Sequence, residues 1–260
     1  GNEGGESETI IGKWLKNRSD RDRITVITKV GSDMGQGARD ISEQHIVKAV
    51  EDSLRRLDTE SIDLYLTHWD DDKTPVEETL GAYQKLIAAG KVKYIGASNL
   101  SPARLNDSLA ASAELGIPRY EVFQPEYNLF DREGFENGTA DICREAGLGV
   151  ITYYSLASGF LSGKYRSRED LGQSPRGAAV EKYLNDRGFA ILAAMDKIAA
   201  ERGVKTAAIA LAWLIQNPRV TAPIASATKP EHVDAFREAA ELSLTADELA
   251  SLDAASANNE

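Results

Sequence analysis

The stretch Ile62–Leu100, IDLYLTHWDDDKTPVEETLGAYQKLIAAGKVKYIGASNL, decides the fold class. It opens with one apolar run, Ile62–His68, and closes with a second, Val92–Ala97. Between them, Thr74-Pro75-Val76-Glu77 combines a helix N-cap, a proline at the first helical position and a capping-box glutamate, and Gly90 can end the helix. Two short strands joined by a helix predict a parallel βαβ unit.

The same strand pattern recurs along the chain. It predicts further strands at Ile24–Val30, Glu121–Gln124, Gly149–Tyr153 and Val220–Ala225. The first five strands follow one another at the roughly 30–40 residues of a βα unit. A closed barrel and an open doubly wound sheet both fit, but no strand is followed by the G-x-G-x-x-G of an open dinucleotide-binding sheet. We therefore predict an α/β protein with a (β/α)8 TIM barrel, of which six strands can be counted.

Helix signals lie between the strands. Ser42 is the predicted N-cap of a helix that buries Ile46, Val50, Leu54 and Leu57, and Ser101-Pro102 begins another. Further helices are predicted to end at Ala146 and to span Phe189–Arg202, Thr206–Gln216 and His232–Leu242. The polar segment 165–182 reads as a loop that contains Gly172, Pro175 and Gly177, and long loops are often functional or mobile.

Composition excludes several classes of protein. The 260 residues include 41 acidic and 30 basic side chains, for a net charge of −11, which argues against nucleic acid or an anionic membrane as a partner. A single cysteine, Cys143, makes no internal disulfide, and three scattered histidines predict no metal site. No apolar run approaches the ~20 residues of a membrane span, and the first residues do not resemble a signal peptide. We expect a cytoplasmic protein and leave its oligomeric state open.

Polar side chains stand at the ends of successive predicted strands, where parallel barrels place their catalytic groups. They are Lys29, His68-Trp69, Ser98-Asn99, Gln124 and Tyr153-Tyr154-Ser155. Each has a structural alternative: Lys29 can extend to solvent, His68 can be a hydrogen-bonded structural residue, and Ser98-Asn99 can form a turn. Asp63, within the second predicted strand, is expected to form a hydrogen bond with the backbone. The placement of all these residues at successive strand ends favours a functional site.

The motifs ITVITKV, IDLYLTHWD, GKVKYIGASNLS, FQPEYNLFDR, YYSLASGFLSGKY and PIASATKPEHV occur in this order. Over nearly its whole length the chain resembles the aldo-keto reductases, most of all the bacterial branch related to general stress proteins and potassium-channel β-subunits. The resemblance implies a (β/α)8 barrel that binds NADPH and reduces a small-molecule carbonyl substrate.

The resemblance also implies residue roles. Lys29 matches the lysine that lowers the pKa of a catalytic tyrosine, and His68 matches the histidine that orients or polarises the carbonyl. Trp69 matches a substrate-pocket wall. The nicotinamide carboxamide is assigned to Ser98, Asn99 and Gln124, and the stacking aromatic ring to Tyr153. Around the pyrophosphate the matching residues are Tyr154, Ser155, Leu156, Ala157, Ser158 and Lys164.

At the adenosine end, Ser226, Thr228 and His232 match the residues that bind the 2′-phosphate and adenine. The family usually has glycine or lysine at position 226 and arginine or glutamine at position 232. It also tends to have Glu-Asn where Ala235-Phe236 stand. A preference for NADP is therefore implied by the resemblance alone, and NAD stays open.

The family's catalytic tyrosine and aspartate belong to a D-T-A-x-x-Y motif before the G-x-S-E helix, which corresponds here to Gly5-Glu6-Ser7-Glu8. The chain begins inside that loop. The resemblance therefore implies that residues 1–260 form a single barrel domain, incomplete at its N-terminus, without the first two strands and these two residues.

The sequence leaves three functions to distinguish. The leading hypothesis is an NADP-dependent oxidoreductase that reduces aldehydes or ketones to alcohols by hydride transfer. The alternative is a non-catalytic, cofactor-binding regulatory subunit resembling the channel β-subunits, which have asparagine at the position of His68. A phosphate-sugar isomerase would need a glycine-rich phosphate loop and a catalytic glutamate at a strand end, and neither is evident.

Overall fold

The computed structural model describes residues 4–173 and 177–257, which form two compact units. Unit one comprises the described residues up to Gln124 together with Ile142–Leu148. Unit two comprises Pro125–Asp141 and the described residues from Gly149 onwards. The prediction that the chain is a single barrel domain stays a prediction.

All six predicted strands are present, and the pairs formed within each unit are parallel. Unit one contains β1 (Ile27–Val30), β2 (Ile62–Thr67), β3 (Val92–Ser98) and β4 (Val122–Gln124). Unit two contains β5 (Gly149–Thr152) and β6 (Ala222–Pro223). Parallel strands that alternate with helices along the chain confirm the α/β class and are consistent with the predicted (β/α)8 barrel.

The helices predicted between the strands are present. In the described residues they are α1 (Glu6–Leu15), α2 (Glu43–Leu57), α3 (Val76–Ala88), α4 (Pro102–Leu115), α5 (Ala140–Glu145), α6 (Gly177–Val180), α7 (Asp186–Arg202), α8 (Thr206–Ile215), α9 (Glu231–Glu241) and α10 (Ala246–Ser256). No helix among these residues is long and apolar enough to cross a membrane.

Two of the predicted N-caps are confirmed by hydrogen bonds. The Ser42 hydroxyl accepts a hydrogen bond from the backbone N–H of His45 at 3.4 Å, and the Ser101 hydroxyl accepts one from Arg104 at 3.1 Å. The predicted apolar face of α2 is buried. Local side-chain chemistry therefore sets where these helices begin.

The predicted N-cap at Thr74 is wrong. Helix α3 begins at Val76 with Pro75 as its N-cap residue. The Thr74 hydroxyl donates instead to Asp71 at 2.6 Å, and the same carboxylate accepts hydrogen bonds from the backbone N–H groups of Lys73 and Thr74. The Thr74 hydroxyl is therefore directed to Asp71, and helix α3 begins without a side-chain cap.

Helix α10 was not predicted, although its start carries a clear signal. Thr245 and Glu248 form a complete capping box, in which each side chain binds the backbone N–H of the other residue. Glu248 also pairs with Arg202 of α7 at 2.7 Å. The motif T-x-x-E before an apolar run is the signature of such a start.

Strand register places four polar side chains on one face of the unit-one sheet. Lys29 is paired with Leu66, Leu66 with Gly96, and Ser98 with Gln124. Because side chains two residues apart point to the same face of a strand, the residues two positions beyond Leu66 and Gly96 share the face of Lys29. Those residues are His68 and Ser98, so Lys29, His68, Ser98 and Gln124 converge at the carboxyl end of this sheet.

Gly96 is required in this arrangement because its neighbours leave no space for a side chain. A Cβ atom at this position would lie 2.5 Å from both Leu66 Cδ2 and the Val122 carbonyl oxygen. The absence of a side chain on β3 therefore lets Leu66 of β2 pack beneath His68.

The opposite face of β2 is fixed to its helix layer by buried hydroxyl groups. Thr67 Oγ1 lies 2.8 Å from the Tyr83 hydroxyl and 2.9 Å from the Tyr120 hydroxyl. All three side chains are buried. Burial of polar groups that are hydrogen-bonded in this way costs little, and it fixes the position of the strand that leads into His68.

The predicted loop 165–182 contains short helical turns within unit two. Arg168–Gln173 and Glu181–Tyr183 form 3₁₀ helices on either side of α6, and Tyr165 and Tyr183 are buried. Tyr183 donates a hydrogen bond to Asp131 at 2.7 Å. Pro175 lies outside the described residues, and the mobility of the loop stays a prediction.

Candidate active site

His68 is half-buried and lies one residue past the end of β2. Its backbone N–H donates to the Val30 carbonyl at 2.7 Å, so the sheet fixes its main chain. Burial, followed by the nearby cations Lys29 and Arg39, lowers the pKa of His68 to about 4. The imidazole is therefore neutral at neutral pH and carries one N–H.

The Ser32 hydroxyl lies 2.6 Å from Nδ1 of His68. If the hydroxyl donates, Nδ1 is the acceptor and the imidazole proton resides on Nε2, where it can serve a ligand. Among the described residues, the hydroxyl has no other hydrogen-bond partner. Ser32 was missed from sequence because it lies 36 residues from His68; the available signal was its position two residues past β1.

Lys29 is half-buried on β1, and burial lowers the pKa of its ammonium. No carboxylate or hydrogen-bond acceptor contacts it in the part of the chain that the structure describes. A partly buried charge without a partner is energetically costly, and such groups concentrate at functional sites. The electrostatic effect of Lys29 on His68 agrees with the predicted convergence of the two side chains.

The predicted carboxamide residues of unit one form a connected group. Asn99 has a left-handed backbone, with φ of 52°. Its Nδ2 donates to the His68 carbonyl at 2.9 Å and to the Ser98 hydroxyl at 3.0 Å, and Ser98 donates to the Gln124 carbonyl at 2.7 Å. Gln124 is 2% exposed, and its side-chain amide makes no hydrogen bond to residues 4–173 and 177–257. An amide on this face without a protein partner can bind a ligand amide.

Trp69 lies beside His68, and its role as a pocket wall stays a prediction. Its ring centroid lies 5.8 Å from that of His68, and the planes are tilted by 34°. The Arg39 guanidinium lies 4.3 Å from the Trp69 ring centroid in a cation–π contact. Arg39 was not among the residues singled out from sequence.

Tyr153 follows β5 in unit two and pairs with Glu126 in an isolated parallel bridge. Its ring lies edge-on to Tyr154, with centroids 5.2 Å apart. Burial raises the pKa of Tyr153 to about 12, so the phenol stays neutral and offers an uncharged aromatic ring.

The predicted pyrophosphate segment has an unusual backbone. Tyr154, Ala157 and Ser158 have φ values of 51°, 48° and 57°, and Gly159 follows with 99°. Non-glycine residues rarely adopt this left-handed region, and clusters of them are typical of ligand-binding turns. Leu156 lies within this turn and is partly exposed.

Two side chains of this segment differ in availability. The Ser155 hydroxyl is buried and donates to the Thr152 carbonyl at 3.1 Å, so it is already engaged. Lys164 is exposed, with its ammonium 4.9 Å from the Tyr165 ring centroid and beside Gly159. The structure thus places the predicted cation of this segment next to the left-handed turn.

The predicted adenosine residues are exposed and lie just before or within the first turn of α9. Nδ1 of His232 accepts a hydrogen bond from the Thr228 backbone N–H at 3.3 Å. Ser226 has no side-chain hydrogen bond to any described residue. These residues therefore form a local group, whose role stays a prediction.

Metal binding and thiol chemistry find little support. Among the described residues, no group of three or more histidine, cysteine, aspartate or glutamate side chains could hold a metal ion. Cys143 is buried, and burial raises the pKa of its thiol to about 12, so it is not a reactive thiolate.

The family model for "Aldo/keto reductase family" matches residues 3–257. The chain belongs to this family. The family resemblance inferred from the strand-end motifs is thereby confirmed.

The names of three relatives in this family point to different functions. "L-glyceraldehyde 3-phosphate reductase" of Escherichia coli (strain K12) is 31% identical over 96% of this chain and 75% of the relative. "Aldo-keto reductase YhdN" of Bacillus subtilis (strain 168) is 33% identical over 90% of this chain and 70% of the relative. "Probable voltage-gated potassium channel subunit beta" of Oryza sativa subsp. japonica is 34% identical over 88% of this chain and 72% of the relative.

Proposed function

We propose that this aldo/keto reductase family member is an NADP-dependent oxidoreductase that reduces aldehydes or ketones to alcohols. The observation that carries the proposal is a neutral His68, held by Ser32 so that Nε2 can carry the proton, on the same sheet face as an unpaired Lys29. A hydrogen-bond donor and a cation at the end of a parallel sheet are suited to a carbonyl oxygen that gains negative charge.

His68 would donate a hydrogen bond from Nε2 to the carbonyl oxygen of the substrate. This bond strengthens as the oxygen becomes an alkoxide, so it stabilises the transition state more than the ground state. Ser32 is a positioning residue, since it holds the opposite ring nitrogen. Lys29 would stabilise, by its positive charge, the phenolate that is left when the catalytic tyrosine implied by the family resemblance gives its proton to the alkoxide.

The residues present fit a nicotinamide cofactor. The Gln124 amide and the Ser98–Asn99 pair supply donors and acceptors for a carboxamide. Tyr153 offers an aromatic ring, and the left-handed turn with Lys164 suits a pyrophosphate. When bound, NADPH would supply the hydride.

A regulatory, non-catalytic subunit is the second candidate, because one relative is named as a probable channel β-subunit. His68 favours the enzyme, since an imidazole with a free N–H serves chemistry that a binding subunit does not need. The two candidates share NADPH binding and differ in turnover.

The test measures NADPH oxidation with para-nitrobenzaldehyde, with NADH in parallel, and NADPH binding by fluorescence titration, on the complete protein that carries the D-T-A-x-x-Y motif implied by the resemblance. We expect binding and turnover, with kcat reduced about 10²-fold in His68→Asn. The matched control is His45→Asn, which removes an imidazole from α2. Binding without turnover on a panel of aldehydes and ketones would favour the regulatory subunit, and the absence of NADPH binding would refute both candidates.

A further inference from the structure

Arg39 lies beside the candidate active site, and neither the proposed reduction nor the fold uses it. It is exposed, and its guanidinium lies 4.3 Å from the Trp69 ring centroid. The Trp69 ring in turn lies 5.8 Å from His68. The positive charge is therefore held near the atoms that would bind the carbonyl, and its effect on His68 agrees with this placement.

Carboxylates close in sequence do not neutralise Arg39. Asp33 and Asp40 accept hydrogen bonds from backbone N–H groups of their own loop. Asp70 pairs with another arginine at 2.8 Å, and Asp71 binds the turn before α3. In the described part of the chain, Arg39 contacts no carboxylate, although the protein has 41 acidic residues against 30 basic ones.

The anchoring of Arg39 leaves its hydrogen-bond donors available. A cation–π contact occupies one face of the planar guanidinium, whereas its N–H groups point outward from the edge. A fixed, planar set of donors binds a carboxylate or a phosphate through paired hydrogen bonds.

The loop that carries Arg39 is packed closely against Trp69. Gly31, at the start of this loop, has φ of 104°, and a Cβ atom there would lie 3.0 Å from the Trp69 carbonyl oxygen and 2.7 Å from Ile41 Cγ2. Any other residue would push the loop outward. The glycine thus keeps the stacking partner of Arg39 in place.

We propose that Arg39, held over Trp69, binds an anionic group of the carbonyl substrate, so that the preferred substrates are aldehydes or ketones bearing a carboxylate or a phosphate. This inference rests on the proposed carbonyl reduction at His68. It adds a specificity-determining residue and a class of substrate to that site.

The experiment compares substrate pairs that differ mainly in charge. Para-carboxybenzaldehyde is paired with its methyl ester, and para-formylphenyl phosphate with para-methoxybenzaldehyde. For each pair, the ratio of kcat/KM values is measured in the native protein and in Arg39→Ala, so that intrinsic reactivity cancels between proteins. Arg39→Lys tests the need for a planar guanidinium, and Arg23→Ala, an exposed arginine preceding β1, is the control for net charge.

We expect Arg39→Ala to lower the anionic-to-neutral ratio about tenfold, the effect of losing a charge-assisted hydrogen bond. Arg39→Lys should retain part of the ratio, and Arg23→Ala should leave it unchanged. The pair with the larger effect identifies carboxylate or phosphate as the ligand group. An unchanged ratio in Arg39→Ala, or an equal fall in Arg23→Ala, would overturn the proposal.

A binding measurement separates this proposal from the proposed function. Benzoate should inhibit the native protein more strongly than neutral benzamide, and Arg39→Ala should abolish the difference. If the protein reduces no aldehyde, the proposed function fails, and the anion site is then judged by Tm alone. Benzoate must raise the Tm of the native protein but not of Arg39→Ala, and a shift of equal size in both would refute it.

Discussion

The carboxyl end of the unit-one sheet and the exposed loops of unit two are built differently. At the sheet end, His68 and Gln124 are positioned by strand register and by neighbouring hydrogen bonds. In unit two, Ser226 and His232 lie in exposed chain around the start of α9, with few contacts. The comparison indicates that the residues proposed for chemistry are held by the fold, whereas those proposed for the distant end of the cofactor are held by few contacts.

The largest expected effect is that of Lys29→Met, which removes the charge while keeping a long apolar side chain. Because Lys29 is proposed to stabilise a phenolate, kcat should fall about 10²- to 10³-fold, with NADPH affinity nearly unchanged. Stopped-flow kinetics measure the rate, and fluorescence titration measures the NADPH affinity. Lys48→Met on α2 is the control, and a loss of affinity equal to the loss of rate would assign Lys29 to cofactor binding.

Gln124→Leu should weaken NADPH binding about tenfold, since it removes a buried amide that would pair with the carboxamide. The variant should be no less stable than the native protein, because the Gln124 amide has no partner within the described residues. Titration and thermal unfolding measure both quantities, with Gln84→Leu on the exposed side of α3 as the control. Weaker folding with unchanged affinity would contradict the assigned role.

Ser32→Ala should lower kcat several-fold, because His68 then samples both neutral tautomers. Nitrogen NMR of the imidazole distinguishes a positioning role from a merely structural one: the native protein should show Nε2–H, and the variant a mixture. Ser32→Thr should restore the native spectrum. A native spectrum with the proton on Nδ1 would refute the arrangement.

The lowered pKa of His68 predicts a pH dependence of stability. Between about pH 6.5 and pH 4 the unfolded imidazole binds a proton and the folded one does not, so the native state loses stability as the pH falls through this window. His68→Asn should remove this part of the pH dependence, as measured by chemical unfolding, whereas His45→Asn should retain it. Identical pH profiles for native protein and His68→Asn would refute the lowered pKa.

The smallest effect is expected in unit two. His232→Ala should change the free energy of unfolding by less than about 0.5 kcal/mol, as for an exposed residue with few contacts. The change in the ratio of NADPH affinity to NADH affinity measures how much His232 contributes to the choice of cofactor. A destabilisation comparable to a core substitution would remove the contrast between the two regions.

Sequence predicted the elements better than their contacts. The strands and the caps at Ser42 and Ser101 depend on local patterns, which explains their success. Thr74 failed because Asp71 competes for its hydroxyl, a choice that residue type alone does not reveal. In contrast, Ser32 and Arg39 depend on contacts made by a loop after β1 with residues 30 or more positions away, and a single sequence carries no signal for such pairs.

Helix starts show the same division. The capping box at Thr245 is a local signal that was overlooked, so α10 was predictable in principle. The positive φ values of Tyr154, Ala157 and Ser158 were not predictable, because nothing in these residue types favours that backbone. Their cause lies in the surrounding unit-two structure.

The hydroxyl groups of Thr67, Tyr83 and Tyr120 lie on the face of β2 opposite the candidate site, and they restrict which of them can donate hydrogen bonds. Thr67 has a single hydroxyl proton and two phenol neighbours, so at least one phenol must donate to it. Burial raises the pKa of Tyr120 to about 12 and that of Tyr83 as well, so these phenols keep their protons through any pH at which the protein would work. The strand that leads into His68 therefore has an anchor that does not titrate alongside the imidazole, and acid–base events at the front of the sheet leave its backing unchanged.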